Sequence, residues 1–188
     1  MAVKAPVTGS VEDPAVLMHQ GLGLGAFNNL PPRKALHALY ECCNSVVLAA
    51  DLARGRPYGD HGDLFRKADA LLFALSEDSV DTMLQAYPHL GRRPRSRKSQ
   101  AEQCSVWDDR PEVMAKLEAA AKRYERRFGF GFVMFVGGSD AEGVLTAIND
   151  RLHHDADTER KMVRNELAKI NRTRLERMLG PEGGYQNW

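Results

Sequence analysis

The chain has 188 residues, 43% of them hydrophobic and 27% charged, the make-up of a globular protein with one buried core. Its formal net charge of +1 provides no global field for nucleic acid or an anionic membrane. No apolar run approaches the roughly 20 residues that a membrane-spanning helix requires.

Residues 1–26 mix proline, glycine and polar residues without sustained periodicity, and are read as a flexible arm in which Val16, Leu17 and Met18 suit a short docking turn. The start, "MAVKAPVTGSVEDPAV", lacks the apolar stretch of a secretory signal. A folded domain is expected over 27–179, followed by a mobile tail at 180–188. Pro31 and Pro32 suit a helix start, where a missing N–H costs nothing, and the run from Arg33 carries Leu36, Leu39 and Tyr40 on one face. The next helix spans about Val46–Arg54 and stops at "RGRP". Over 63–75, Leu64, Ala68, Leu71, Leu72 and Leu75 form one stripe. Ser76 then caps a short helix carrying Val80, Met83 and Leu84, which must end before Pro88.

The stretch "AYPHLG" at 86–91 follows, then a basic loop, "RRPRSRK" at 92–98. No aromatic residue interleaves that loop, so it is read as a solvated connection rather than a nucleic-acid contact. "SQAEQ" at 99–103 places Ser99, Glu102 and Gln103 on one face of a helical turn: a hydroxyl, a carboxylate and an amide converging on one point. Taken alone, Ser99 and Glu102 equally form a capping box, and the box is the commoner meaning of that spacing. Cys104 follows; a catalytic thiol is the sharp reading and a small apolar filler the favoured one. With Cys42 and Cys43 it makes an odd set of three without a Cys-x-x-Cys spacing, which points to reduced thiols and a cytoplasmic protein.

From Pro111, Val113, Leu117, Ala120, Tyr124 and Phe128 recur at helical spacing, and Gly129 supplies the stop. "FGFGFVMFV" at 128–136 has strand propensity, but a lone strand has no ladder partner, so a buried extended connector is expected. Ser139 and Glu142 form a capping-box pattern for a helix carrying Val144, Leu145, Ile148 and Leu152. A last helix, about Asp157 to Leu179, ends at Gly180 and Pro181. On it Val163, Leu167, Ile170, Arg174 and Met178 share one face while Arg172 projects opposite. A guanidinium within an apolar stripe is costly unless paired, so Arg174 is either a clamp for a carboxylate or ureido group or half of a structural salt bridge. The whole reads as one all-α domain of seven or eight helices without internal repeats.

Taken in order, "FNNLPPRKALHALYECC", "GRPYGDHGDLFRKAD", "AYPHLG", "SQAEQ", "KRYERRFGFGFVMFV", "INDRLHH" and "ELAKINRTRLERML" resemble the 2-oxo-4-hydroxy-4-carboxy-5-ureidoimidazoline (OHCU) decarboxylases. Each motif is weak alone; their ordered spacing over nearly all of 27–179 is specific. The resemblance implies an all-α, cofactor-free and commonly homodimeric enzyme. Its small-molecule substrate, a ureidoimidazoline, loses CO2 to give (S)-allantoin at the end of urate breakdown. By position it assigns substrate contacts to Pro88, Ser99, Gln103, Arg174 and the Phe132–Val133 backbone, with Glu102 in the catalytic set.

The chain departs from that family pattern at three places. Tyr87 stands where the family has a histidine before proline, Gly131 replaces the proline of a Phe-Gly-Phe-Pro-Phe segment, and "CSVW" replaces a small, glycine-containing stretch. A phenol titrates near 10 where an imidazole titrates near neutrality, so Tyr87 suits a proton donor better than a base. His89, two residues on, is a second candidate for the histidine's role. The expected activity is therefore that of a lyase, on OHCU or on a related small polar heterocycle of a biosynthetic pathway. A binding protein that keeps the pocket without its chemistry is the alternative. The histidine loss predicts weak turnover of OHCU.

Overall fold

The computed structural model describes residues 20–87 and 106–181, and within them every regular element is helical. The elements are α1 (Leu24–Asn29), α2 (Pro32–Cys43), α3 (Val46–Arg54), α4 (His61–Ala74), α5 (Glu77–Gln85), α6 (Pro111–Phe128), α7 (Ala141–Arg151) and α8 (Ala156–Leu179). The all-α expectation holds. No helix among the described residues is long and apolar enough to cross a membrane.

Local chemistry sets most boundaries. Pro32 and Pro111 open α2 and α6, where the first N–H groups have no intrahelical partner to lose. Ser45, Asp60, Ser76 and Asp155 cap α3, α4, α5 and α8, each accepting a backbone N–H three residues on. At the other ends, Asn44 (φ 52°) and Gly129 (φ 82°) take the left-handed conformation that stops α2 and α6.

Long α8 packs on α2 and α4, α3 packs on both α2 and α4, and α6 pairs with α7. The core fills the space between them with Phe27, Leu39, Leu48, Leu52, Leu64, Leu72, Met83, Leu117, Tyr124, Ile148, Leu167 and Leu175, all fully buried. Cys42 and Cys43 are buried within it, and the Cys42 thiol reaches the Met178 sulfur at 3.9 Å.

Two sequence motifs turn out to be complementary halves of one corner. Arg56 donates to the carbonyls of Phe27, Leu30 and Ala53 at 2.9, 2.7 and 3.1 Å. Asn28 exchanges two bonds with the Tyr58 backbone, at 2.9 and 3.0 Å. Arg56 thus meets carbonyls left over where α1 hands over to α2 and at the end of α3, and Asn28 pairs with the backbone that follows α3, groups that helices alone cannot satisfy.

Two expectations need correction. The arm does not extend to residue 26: Gly21, Leu22 and Gly23 donate to the carbonyls of Arg177, Met178 and Leu179 at 3.1, 2.9 and 2.7 Å. These are the orphan acceptors at the end of α8, and the incoming chain satisfies them. Nor does Ser139 cap α7. Asp140 does, accepting from Gly143 N–H at 2.8 Å, while Glu142 turns outward to Arg110 at 3.2 Å. A carboxylate one residue nearer the helix offers a stronger acceptor to N–H groups at the positive end of the dipole. The connector at 128–136 forms no strand, as expected.

Candidate active site

Arg174 is 4% exposed on the inner face of α8, where the wheel positions it. Its Nη1 donates to the Cys42 carbonyl at 3.1 Å and to the Tyr87 hydroxyl at 3.3 Å, and its guanidinium lies 5.2 Å from the Tyr87 ring centroid. Arg172 behaves oppositely, exposed and paired with Asp69 on α4 at 3.0 Å. Two arginines separated by two positions thus have opposite fates, because a helix turns them to different faces.

Tyr87 follows directly on α5, its N–H held by the Leu84 carbonyl at 3.1 Å. One side of it borders a cleft of about 240 Å³, lined also by Asp81, Gln85, Glu125, Phe130, Gly131 and Phe132. A Cβ built on Gly131 meets nothing within 4 Å, so the missing side chain leaves open space in that wall. Asp81 is engaged by Arg160, whose guanidinium also stacks on Phe130 at 4.1 Å. The hydrogen bonds it donates to Asp81 hold the Arg160 guanidinium above its usual range.

Of the residues singled out from the sequence, the structure brings together Tyr87 and Arg174, and sets Phe132 beside Tyr87 along the cleft. Val133 is buried next to Phe132. Pro88, His89, Ser99, Glu102, Gln103 and Cys104 lie outside the described residues.

The sequence reading missed a buried polar cluster behind the 132–133 segment. Glu159 has no exposed surface, and one of its oxygens accepts from Arg151 Nε at 2.9 Å and from the Tyr124 hydroxyl. Its other oxygen meets His154 Nδ1 at 2.7 Å. Burial first, then the bond to Glu159, pushes the Tyr124 phenol far above its usual value. No local pattern signals such a cluster, since its members come from α6, α7, α8 and the turn between the last two. Asn171, one turn before Arg174, is also buried, and among the described residues its Oδ1 has no hydrogen-bond partner.

Comparison with known proteins bears on this arrangement. The family model "OHCU decarboxylase" matches residues 28–176. A 2-oxo-4-hydroxy-4-carboxy-5-ureidoimidazoline decarboxylase of Haloferax volcanii is 28% identical over 172 residues, covering 88% of this chain and 100% of the relative. A uric acid degradation bifunctional protein of Bacillus sp. (strain TB-90) is 29% identical over 71% of this chain, which spans only 27% of that longer protein. A crystal structure of OHCU decarboxylase in the presence of (S)-allantoin superposes with a TM-score of 0.66. It covers 74% of this chain and 95% of that one, and its 19% identity speaks for the fold alone. With the family model spanning most of its length, the chain belongs to the OHCU decarboxylase family.

Proposed function

We propose that this protein is a carboxy-lyase that converts OHCU to (S)-allantoin, with Tyr87 in the place of the family's histidine. The observation that carries the reading is the half-buried contact between Arg174 and the Tyr87 hydroxyl. It joins a cation suited to a carboxylate or ureido group to a proton donor, beside a cleft of small-molecule size.

The chemistry asks little more. The bond between the ring carbon and its carboxylate breaks, CO2 leaves, and the electron pair moves into the ring. One proton then adds on a single face to the neighbouring, ureido-bearing carbon, and the hydroxyl of the decarboxylated carbon gives up its proton as it becomes a carbonyl. The ring nitrogen that took the pair is protonated, and the donor is recharged from solvent. A guanidinium donating to the Tyr87 oxygen polarises the phenol and strengthens it as a donor. Arg174 orients the substrate through planar, paired hydrogen bonds, and the backbone of Phe132 and Val133 walls the ring. Pro88, Ser99, Glu102 and Gln103 complete the set by family position, with Glu102 accepting from a ring or hydroxyl hydrogen. His89 is the competing donor to Tyr87. The homodimer and cytoplasmic location belong to the same reading, and sedimentation of the purified protein tests the former.

A relative of this reaction on a different small heterocycle is the second reading. It is favoured by two departures at one site, Tyr87 itself and the open space beside Gly131. The test compares the two ligands directly: OHCU generated from urate, and a panel of carboxylated five-membered heterocycles, each followed for CO2 release. Tyr87→Phe should lower turnover of the true substrate by about 100-fold, the usual worth of a general acid. Full activity in that variant would remove Tyr87 from the reaction and leave His89 as the donor.

A further inference from the structure

The extended segment between α6 and α7 raises an accounting question: among the described residues it pairs with no strand, so its buried backbone groups need side-chain partners. Helices α7 and α8 supply them. Arg151, the last residue of α7, donates from Nη1 to the Val133 carbonyl at 2.8 Å. Glu166 on α8 accepts the Phe135 N–H at 2.7 Å. The Arg151 guanidinium also lies 4.5 Å from the Phe132 ring centroid, stacked against the residue just before the one whose carbonyl it holds.

Behind Arg151 the arrangement is over-determined. Glu159 takes both Nε and Nη2 of Arg151 on one oxygen, so the guanidinium is locked in plane and its Nη1 has one direction left. The Tyr124 hydroxyl donates to the same oxygen, and the Tyr124 ring meets Phe132 edge-on at 5.0 Å. A buried ion pair seldom stabilises a fold more than apolar residues of equal volume. What it adds is direction: an apolar filler would occupy the space yet leave the Val133 carbonyl, and with it the 133–134 peptide plane, free to rotate.

We infer that Arg151, Glu159 and Tyr124 are positioning residues that fix the orientation of the Phe132–Val133 backbone at the reaction site. The inference rests on the reading of that backbone as a wall for the substrate. Its consequence is kinetic, because a misplacement of about 1 Å at a reacting site costs on the order of 100-fold in rate.

The experiment measures kcat and KM on OHCU, the melting temperature, and amide hydrogen exchange across 132–135 in Arg151→Lys and Tyr124→Phe. The lysine keeps the charge but loses the fork; the phenylalanine loses only one hydroxyl. Arg151→Lys should lower kcat by about tenfold or more with KM within about threefold, and speed exchange at 132–135 relative to the rest of α7 and α8. Tyr124→Phe should show the same pattern more weakly. Unchanged kcat per folded molecule together with unchanged exchange at 132–135, whatever the melting temperature, would overturn the inference. Should Arg151→Lys fail to fold, Tyr124→Phe decides by the same two readouts. Should the wild-type protein leave OHCU untouched, the proposed substrate fails, and exchange at 132–135 still decides whether the cluster positions that segment.

Discussion

Arg174 carries much of the case at the scale of single residues. Its place in the apolar stripe of α8 was legible from periodicity, and it is buried against Tyr87 and the Cys42 carbonyl. Arg174→Lys should weaken turnover by about tenfold, roughly 1.4 kcal/mol, because a planar fork becomes a point charge. The check is kcat/KM beside a melting curve on the same sample. Unchanged kcat/KM would make the arginine structural. Glu102 allows a comparable separation. If it lies in the site, Glu102→Ala lowers turnover and spares stability; if it only caps a helix, the change costs about 0.5–2 kcal/mol of stability and spares turnover. Arg151 and Glu159 were not legible in the sequence for a physical reason. Each looks like any other charged residue of a helix, and only the fold brings the end of α7 onto the first turn of α8.

For the elements, the sequence spoke most clearly where one residue decides a boundary. Proline at the start of α2 and α6, Ser76 before α5 and Gly129 after α6 act through local sterics or a local hydrogen bond, so neighbours in sequence suffice to read them. Where two cap candidates adjoin, local reading falters, as Ser139 and Asp140 illustrate. Asp140→Ala should destabilise by about 0.5–2 kcal/mol and Ser139→Ala by far less, which urea denaturation resolves. The reverse order would restore the serine as cap. Tertiary partners were the least legible part. Nothing near Gly21–Gly23 announces that these residues close the end of α8, because their acceptors lie more than 150 positions away.

The molecule as a whole has a pH response that follows from its buried phenols. Tyr58 donates its hydroxyl to the Leu52 carbonyl at 2.8 Å, and burial, opposed by the nearby Arg56 charge, pushes it up from 10.0 to about 12. A group whose folded value is raised contributes its full stability below the unfolded value and loses it as pH climbs through the folded one. Stability should therefore decline between about pH 10 and 12, with Tyr124, raised from the same starting value, adding to the loss across that window. In Tyr58→Phe the melting temperature should be lower near neutrality but fall less steeply over that window; an identical slope would exclude Tyr58 as the cause.

The fold class, the family and, from α2 onward, the order of the described helices were legible, since amphipathic spacing and ordered motifs are properties of sequence itself. The contact between Tyr87 and Arg174 was not, because which side chains face one another is set by the fold, and the two lie 87 positions apart. One measurement bears most directly on the central claim. OHCU is generated enzymatically from urate, the protein is added, and (S)-allantoin is followed by circular dichroism for the wild-type, Tyr87→Phe and Tyr87→His proteins. The account predicts that the wild-type protein accelerates formation of the (S) enantiomer, that Tyr87→Phe loses about 100-fold, and that Tyr87→His equals or exceeds the wild type. A wild-type protein that leaves the spontaneous, racemising reaction unchanged, or a Tyr87→Phe variant as active as its parent, would contradict it.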